Sequence, residues 1–149
     1  MKAIGILTTI AIVIPNYADY TPRTQAIRVF GDMNYVRTVI ETCLDEERMT
    51  IGDDDLDSCN FDYACSVLIV GAKDTRLTNA AACPTDTGVP QIPADDLTDT
   101  VVITATFGHS AVRELTAAGK NQLFLSRQTD GTWICSGTIP DEFKARGCL

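Results

Sequence analysis

The sequence predicts an α+β fold, in which one long N-terminal helix packs on a four-stranded antiparallel sheet. Two patterns support this fold class. Apolar residues recur every three or four positions in the first third of the chain, and β-branched or alternating runs fill the second half. With 149 residues, the chain is long enough for one domain with a core and short for two. We therefore expect a head domain over residues 21–149, preceded by an apolar segment over residues 1–20.

The apolar segment at the start of the chain is centred on Ala3–Ile14, in which nine of twelve residues are apolar. A helix needs about 20 such residues to cross a bilayer, so this run cannot do so by itself. One interpretation is a signal peptide cleaved after Ala18, although Asn16 stands where a small residue is preferred. A buried strand is another, although Gly5 and the length of the run count against it. These residues alone leave both alternatives open.

An amphipathic helix is predicted over residues 21–48, with one apolar stripe facing the core. Thr21 suits the N-cap and Pro22 the first turn. Alternatively, the helix is continuous from the N-terminus and bends at Pro15 and Pro22. The acidic residues that begin at Asp45 oppose the negative end of the helix dipole, so the helix should fray soon afterwards. The stripe comprises Ala26, Val29, Phe30, Met33, Val36, Ile40, Cys43 and Leu44.

An acidic loop is predicted over residues 49–63. The alternating aspartates at 53–57 could offer oxygen ligands to calcium. However, Ser58 and Ala64 occupy the positions at which an EF-hand has glycine and glutamate. A solvated acidic loop without a metal is therefore preferred.

Four runs predict the strands of a sheet over residues 64–137, with Asp130-Gly131 as a tight turn between the last two. A long connection with three prolines, residues 79–96, follows the first run. Trp133, in the last run, is expected in the core. The helix would cover one face of the sheet, as a sheet of this size needs for stability. The runs are Cys65–Ala72, Asp99–Gly108, Asn121–Gln128 and Thr132–Ser136.

Charge and motif content exclude several classes of function. The net charge is −8 and the basic residues are scattered, so no nucleic-acid partner is expected. His109 neighbours Ser110, but a pair in sequence is not a catalytic triad, and we find no nucleotide-binding or hydrolase motif. Glu41, Glu46 and Glu47 are expected on a solvated face. We therefore predict no enzyme activity, no catalytic residues and no cofactor.

Six cysteines in a chain of this size predict an oxidising compartment and three disulfides. The absence of a CxxC pair and the presence of a single histidine argue against a zinc site, so no metal is predicted. Six cysteines allow 15 pairings, which spacing alone does not resolve. They are Cys43, Cys59, Cys65, Cys83, Cys135 and Cys148.

The N-terminal stretch IGILTTIAIVIPNYADYTPRTQ resembles the N-terminal helix of type IV pilins, which runs roughly IIGILAAIAIPxYxDYxxRSQ. The resemblance implies a helix that anchors the subunit in the inner membrane and later packs in a filament core. The matching residues are Gly5, Ile6, Leu7, Ile10, Ala11, Ile12, Pro15, Tyr17, Asp19, Tyr20, Arg23 and Gln25. The implied assembly helix comprises Ile4, Gly5, Ile6, Leu7, Ile10, Ala11, Ile12, Pro15, Tyr17 and Tyr20.

The same stretch departs from the family pattern in three ways. The basic leader, the phenylalanine and the glutamate of the family pattern have no counterpart in this sequence, which begins at a point where the family is already in mid-helix. Val13 and Ile14 are two extra residues before the proline, which in a continuous helix rotate the later residues by about 200° relative to the pattern. Pro22 is unusual for the family. The resemblance therefore implies an N-terminally truncated chain.

The C-terminal stretch TDGTWICSGTIPDEFKARGC is similar to the end of many type IV pilins, which carry an Asp-Gly turn, a Trp-x-Cys strand and a disulfide-bounded loop. It implies a disulfide between Cys135 and Cys148, and a displayed loop over residues 135–148. The other four cysteines allow three pairings. We favour Cys43–Cys59, which staples the acidic loop to the helix, with Cys65–Cys83.

The resemblance implies a structural subunit that polymerises into a type IV pilus used in adhesion, twitching motility or related roles. Self-association into a helical filament, the inner-membrane assembly machinery and host or abiotic surfaces are the implied partners. The implied location is the inner membrane and then the extracellular fibre. Two alternatives stay open: a pseudopilin of a type II secretion system, and a secreted disulfide-rich binding domain with a cleaved signal peptide.

Overall fold

The computed structural model describes residues 17–61 and 63–149, and it has the predicted α+β fold. One long helix lies against one face of a four-stranded antiparallel sheet, whose strands lie side by side in chain order. A second helix is a single short turn between the second and third strands. In chain order the elements are α1 Tyr17–Asp45, β1 Ile69–Val70, β2 Val102–Phe107, α2 Arg113–Thr116, β3 Gln122–Arg127, β4 Trp133–Gly137 and a 3₁₀ turn Asp141–Phe143.

Helix α1 differs from the predicted helix 21–48 at both ends. It continues through Pro22, which is buried, and does not start there. Proline removes one backbone hydrogen bond, and the bonds of the neighbouring residues can hold the helix together. The helix stops at Asp45 because Glu47 adopts a left-handed conformation with φ 57°. The Arg48 amide then donates to the Cys43 carbonyl at 2.8 Å, which closes the last turn.

The predicted apolar stripe of α1 is the face that packs on the sheet. Six of its members are buried, and Phe30 and Leu44 pack at its edge. Alternate residues of the strands meet this stripe, for example Ile103 of β2, which pairs with Leu125 of β3. The main buried residues of the two layers are Ala26, Val29, Met33, Val36, Ile40, Cys43, Ile103, Ala105, Phe107, Leu123, Leu125 and Cys135.

The first predicted strand is much shorter than expected. Of Cys65–Ala72, only Ile69–Val70 pairs with β2. The reason is a competing partner: Ser66 exchanges backbone hydrogen bonds with Gly88, at 2.8 and 2.9 Å. The sheet thus covers a shorter span than the predicted 64–137. The other three predicted strands match β2, β3 and β4 to within a few residues.

The long connection after β1 is held together by Arg76. Its guanidinium donates to the Ile92 and Asp95 carbonyls, each at 2.8 Å, and also to the Ala94 carbonyl. Asp74 orients the group with Oδ1 2.8 Å from Nε. Burial raises the pKa of the Asp74 carboxyl, but the hydrogen bonds from Arg76 outweigh this and hold that pKa below its ordinary value.

No helix among the described residues is long and apolar enough to cross a membrane.

Candidate functional site

The predicted assembly helix lies mostly outside the described residues. Ile4, Gly5, Ile6, Leu7, Ile10, Ala11, Ile12 and Pro15 all precede residue 17. Tyr17 and Tyr20 are helical, since they lie in the first turns of α1.

The loop between Cys135 and Cys148 covers the outer edge of the sheet. The two Sγ atoms are 2.03 Å apart, which confirms the predicted C-terminal disulfide. Leu149 then pairs with β4: its amide donates to the Cys135 carbonyl at 2.8 Å, and its carbonyl accepts from the Gly137 amide at 3.0 Å. β4 is the last strand of the sheet, so these bonds satisfy backbone groups that an edge strand otherwise exposes. The loop is thus closed both covalently and by backbone pairing.

The same loop is fixed to the N-terminal half of α1. Arg23 donates to the Glu142 carbonyl through Nε and Nη2, at 3.2 and 2.8 Å. Phe143, a residue of this loop, is buried. The Lys144 ammonium bonds the Asp141 carboxylate and the Leu149 carbonyl, each at 2.8 Å, and lowers the pKa of Asp141. The loop therefore presents a defined surface.

The remaining four cysteines form Cys43–Cys59 and Cys65–Cys83, the pairing that the sequence favoured among three. Cys43 and Cys59 are both fully buried. Their bridge therefore attaches the acidic loop directly to the last turn of α1.

The acidic loop at residues 53–57 is solvated except for Asp53. Its carboxylate accepts hydrogen bonds from the Asn79 amide at 2.7 Å, the Ala80 amide at 3.1 Å and the Thr78 hydroxyl at 3.1 Å. One aspartate is thus a structural anchor, which the sequence did not indicate. Among the described residues, no group of three or more acidic, His or Cys side chains could hold a metal ion.

Glu41 also departs from expectation, since its side chain reaches from α1 to the sheet and does not lie on a solvated face. One of its oxygens, Oε1, accepts from Arg127 Nε and from Trp133 Nε1, both at 2.7 Å. Arg127 and Trp133 are cross-strand partners on β3 and β4. The hydrogen bond from Arg127 holds the pKa of Glu41 below its ordinary value, with a further contribution from Trp133.

We call Glu41, Arg127 and Trp133 the helix–sheet clamp. Arg37 adds to it, with its guanidinium carbon 5.8 Å from the centre of the indole ring. Trp133 is half-buried at the edge of the core that was predicted to enclose it. The sequence gives only a weak indication that Glu41 is not fully solvated, since it directly follows Ile40, a residue of the apolar stripe.

His109 and Ser110 lie in an exposed turn after β2. His109 has a φ of 52°, and its Nδ1 is 3.9 Å from a carboxylate oxygen of Asp86, itself largely exposed. A solvated turn of this kind lacks the buried carboxylate that orients the histidine of a Ser-His-Asp triad.

Comparison with known proteins agrees with this architecture. The profile of a family described as Pilin (bacterial filament) matches residues 22–149. A type IV major fimbrial protein FimA of Dichelobacter nodosus is 37% identical over 146 residues, which cover 97% of this chain and 86% of the relative. A probable minor fimbrial protein of the same organism is 32% identical, covering 97% and 85%. A fimbrial protein of Pseudomonas aeruginosa is 30% identical, covering 91% and 77%.

The crystal structure of a Cs1 pilin chimera superimposes with a TM-score of 0.54 at 18% identity, covering 88% of this chain and 98% of that one, which supports the fold. Pilins are structural proteins and not enzymes. The fimbrial relatives favour a pilus subunit over a pseudopilin or a secreted binding domain. The chain belongs to the type IV pilin family and is a subunit of a surface pilus filament.

Proposed function

We propose that this subunit is held in the inner membrane by residues 1–20 before assembly, and that the same residues then pack in the filament core. Residues 21–149 form the head that covers this core. Transfer from membrane to fibre would require the inner-membrane assembly machinery as a partner. The polymerising contacts come from the apolar side chains between Ile4 and Ile14.

The observation that carries this proposal is a difference between the apolar residues of α1, which the head itself buries, and the apolar run that precedes α1 in the sequence. From Ala26 onward the apolar face of α1 is covered by the sheet of its own head. Ile4–Ile14 is at least as apolar, yet it precedes the part of α1 that the sheet covers. Apolar surface of that extent is unfavourable in water, so it needs lipid or other subunits around it.

We further propose that the loop from Cys135 to Cys148 is the surface that the fibre displays to host or abiotic surfaces. Its ends are joined by the disulfide and its middle is held by Arg23 at the Glu142 carbonyl, while the side chains of Glu142 and Arg146 are exposed. A rigid exposed loop loses little conformational entropy on contact, which favours adhesion. Twitching motility would use the same fibre. Since the chain is acidic, we expect no direct binding of nucleic acid.

A pair of leucine-to-aspartate variants tests the assembly proposal in cells that express the full chain as their fibre subunit. Leu7→Asp puts a charge in the proposed core and should abolish fibres in the sheared surface fraction. Leu56→Asp is the matched control, because Leu56 is 95% exposed in the acidic loop and the added charge has the same sign as that of its neighbours Asp55 and Asp57. Wild-type amounts of fibre from Leu7→Asp, with equal cellular content of both variants, would overturn the proposal.

A further inference from the structure

Exposed acidic side chains gather at the end of the head where α1 stops. Three separate segments supply them: the helix end, the loop after it and the segment before β2. We call this surface the crown. It comprises Asp45, Glu46, Glu47, Asp54, Asp55, Asp57, Asp95, Asp96 and Asp99.

The crown is assembled by specific tertiary contacts. The Cys43–Cys59 disulfide holds the acidic loop against the helix end. Backbone pairing of Met49 with Leu97, at 2.7 Å, and of Thr50 with Asp96 brings the third segment alongside. The basic side chains there are already paired with carboxylates: Arg76 with Asp74 and Arg127 with Glu41, both outside the crown, and Arg48 with Glu46, the crown residue that is neutralised in this way. The exposed field of the crown is therefore strongly negative.

Exposed basic side chains gather at the opposite end of the head, which we call the base. Gln25 accepts a hydrogen bond from the Val112 amide at 2.9 Å, and Arg23 bonds the Glu142 carbonyl, so α2 and the C-terminal loop lie beside the N-terminal half of α1. Four exposed acidic residues share this end, Asp86, Glu114, Asp141 and Glu142, and one of them, Asp141, is neutralised by Lys144. The basic residues of the base are Arg23, Arg28, Arg113, Lys120 and Arg146.

The two surfaces lie roughly 30 Å apart along the helix, at about 1.5 Å per residue from Arg23 to Asp45. We propose that, in the filament, the acidic crown of one subunit contacts the basic base of a second copy. This inference rests on the assembly proposed above and goes beyond it, since it assigns a contact between heads. Complementary potentials of this kind fix register and steer association.

The symmetry of a filament favours this contact. Copies related by a screw axis all point the same way, so the crown of one faces the base of another along the axis. Long helices packed along their length cross at small angles, about 20°. Helix α1, and with it the line from the base to the crown, therefore runs roughly along the fibre axis. Heads placed side by side at one height would bring crown against crown, and these like charges repel within a Debye length of about 8 Å. The charges thus favour an axial stagger between heads.

Charge reversal with rescue tests the proposal in cells that assemble the full chain. The crown variant is Glu47→Lys with Asp57→Lys, and the base variant is Arg113→Glu with Lys120→Glu. Each alone should reduce sheared fibre about tenfold at equal cellular content, because like charges then face each other. The combined four-residue variant should return to within about twofold of wild type.

The two variants also control for net charge, because one makes the chain less acidic and the other more acidic. If only overall charge mattered, their effects would be opposite; the proposal requires both to weaken the fibre. Should either reversal prevent folding, two pairs of neutral variants remove the charges instead: Glu47→Gln with Asp57→Asn, and Arg113→Gln with Lys120→Gln. Each pair should lower the amount of fibre about threefold.

Wild-type fibre from every variant, or a combined variant no better than its parents, would overturn the crown–base contact. That result leaves the assembly proposal standing, because its own test is Leu7→Asp. Failure of the unaltered chain to enter the sheared fraction would instead overturn the assembly proposal.

Discussion

Replacing Glu41 by glutamine should weaken the attachment of α1 to the sheet. The carboxylate accepts two hydrogen bonds on one oxygen, from Arg127 and from Trp133, both at 2.7 Å. Charge-assisted hydrogen bonds contribute about 1.5–3 kcal/mol when buried, whereas exposed ion pairs contribute about 0.2–1 kcal/mol. The Glu41 side chain is 32% exposed and that of Arg127 14%, so a value between the two ranges applies.

Glutamine keeps an acceptor oxygen and removes the charge, so we expect a loss of about 1 kcal/mol in the free energy of unfolding at neutral pH. For a chain of this size, that corresponds to a fall in Tm of about 3 °C. Glu41→Ala removes the acceptor as well and should cost about 2 kcal/mol. Arg127 then keeps its bond to the Asp99 carbonyl at 2.9 Å, which limits the loss.

The charge contribution should depend on pH in a defined direction. Because the pKa of Glu41 is lowered from 4.5 in the folded state, its stabilisation is present above that value and is lost as pH falls through the folded pKa. The difference in stability between wild type and Glu41→Gln should therefore shrink toward zero in acid.

Urea unfolding of the purified protein measures this difference, and Trp133 is the only tryptophan in the chain, so its fluorescence reports on the clamp directly. Glu47→Gln is the matched control on an exposed glutamate at the end of the same helix. Equal stability of wild type and Glu41→Gln at pH 7, or a difference that persists unchanged at pH 3, would refute the reasoning.

Two further changes probe the loops. Replacing Cys135 and Cys148 together by serine should lower stability by about 3 kcal/mol through loop-closure entropy, and should speed amide exchange at Leu149. Unchanged exchange there would mean that backbone pairing alone holds the edge of β4. Asp53→Asn should cost about 1 kcal/mol, measured by urea unfolding, because asparagine offers one neutral oxygen where the two carboxylate oxygens accept three bonds. No loss relative to Asp54→Asn would show that Asp53 is not an anchor.

Much of this fold follows from local patterns in the sequence. The stripe from Ala26 to Leu44 has the helical period, and β2, β3 and β4 have the alternation of strands. The buried face of each of these elements therefore follows from its own residues. The Cys135–Cys148 bridge was identified by resemblance, because the motif around it is short and contiguous. Periodic burial needs no knowledge of the partner, which is why these predictions were correct.

Other features depended on partners distant in sequence. Residues 65–72 are a good strand by composition, but Ser66 pairs with Gly88, and only two residues join β2. Pro22 lies inside a helix because the chain on both sides is helical and its own ring is buried. Local propensity favoured a helix start at Pro22, and the packing of the whole helix outweighed it.

The charged residues show most clearly which features the sequence determines and which ones depend on the tertiary structure. The sequence determined how acidic the chain is and that its exposed loop is rich in aspartate. Only the tertiary structure determined that Glu41 meets Arg127 and Trp133 and that Asp53 anchors another loop. Only the tertiary structure collected the acidic crown and basic base at opposite ends. A charge has no periodicity that indicates its partner, and its role is set by which groups the fold brings within a few ångströms of it.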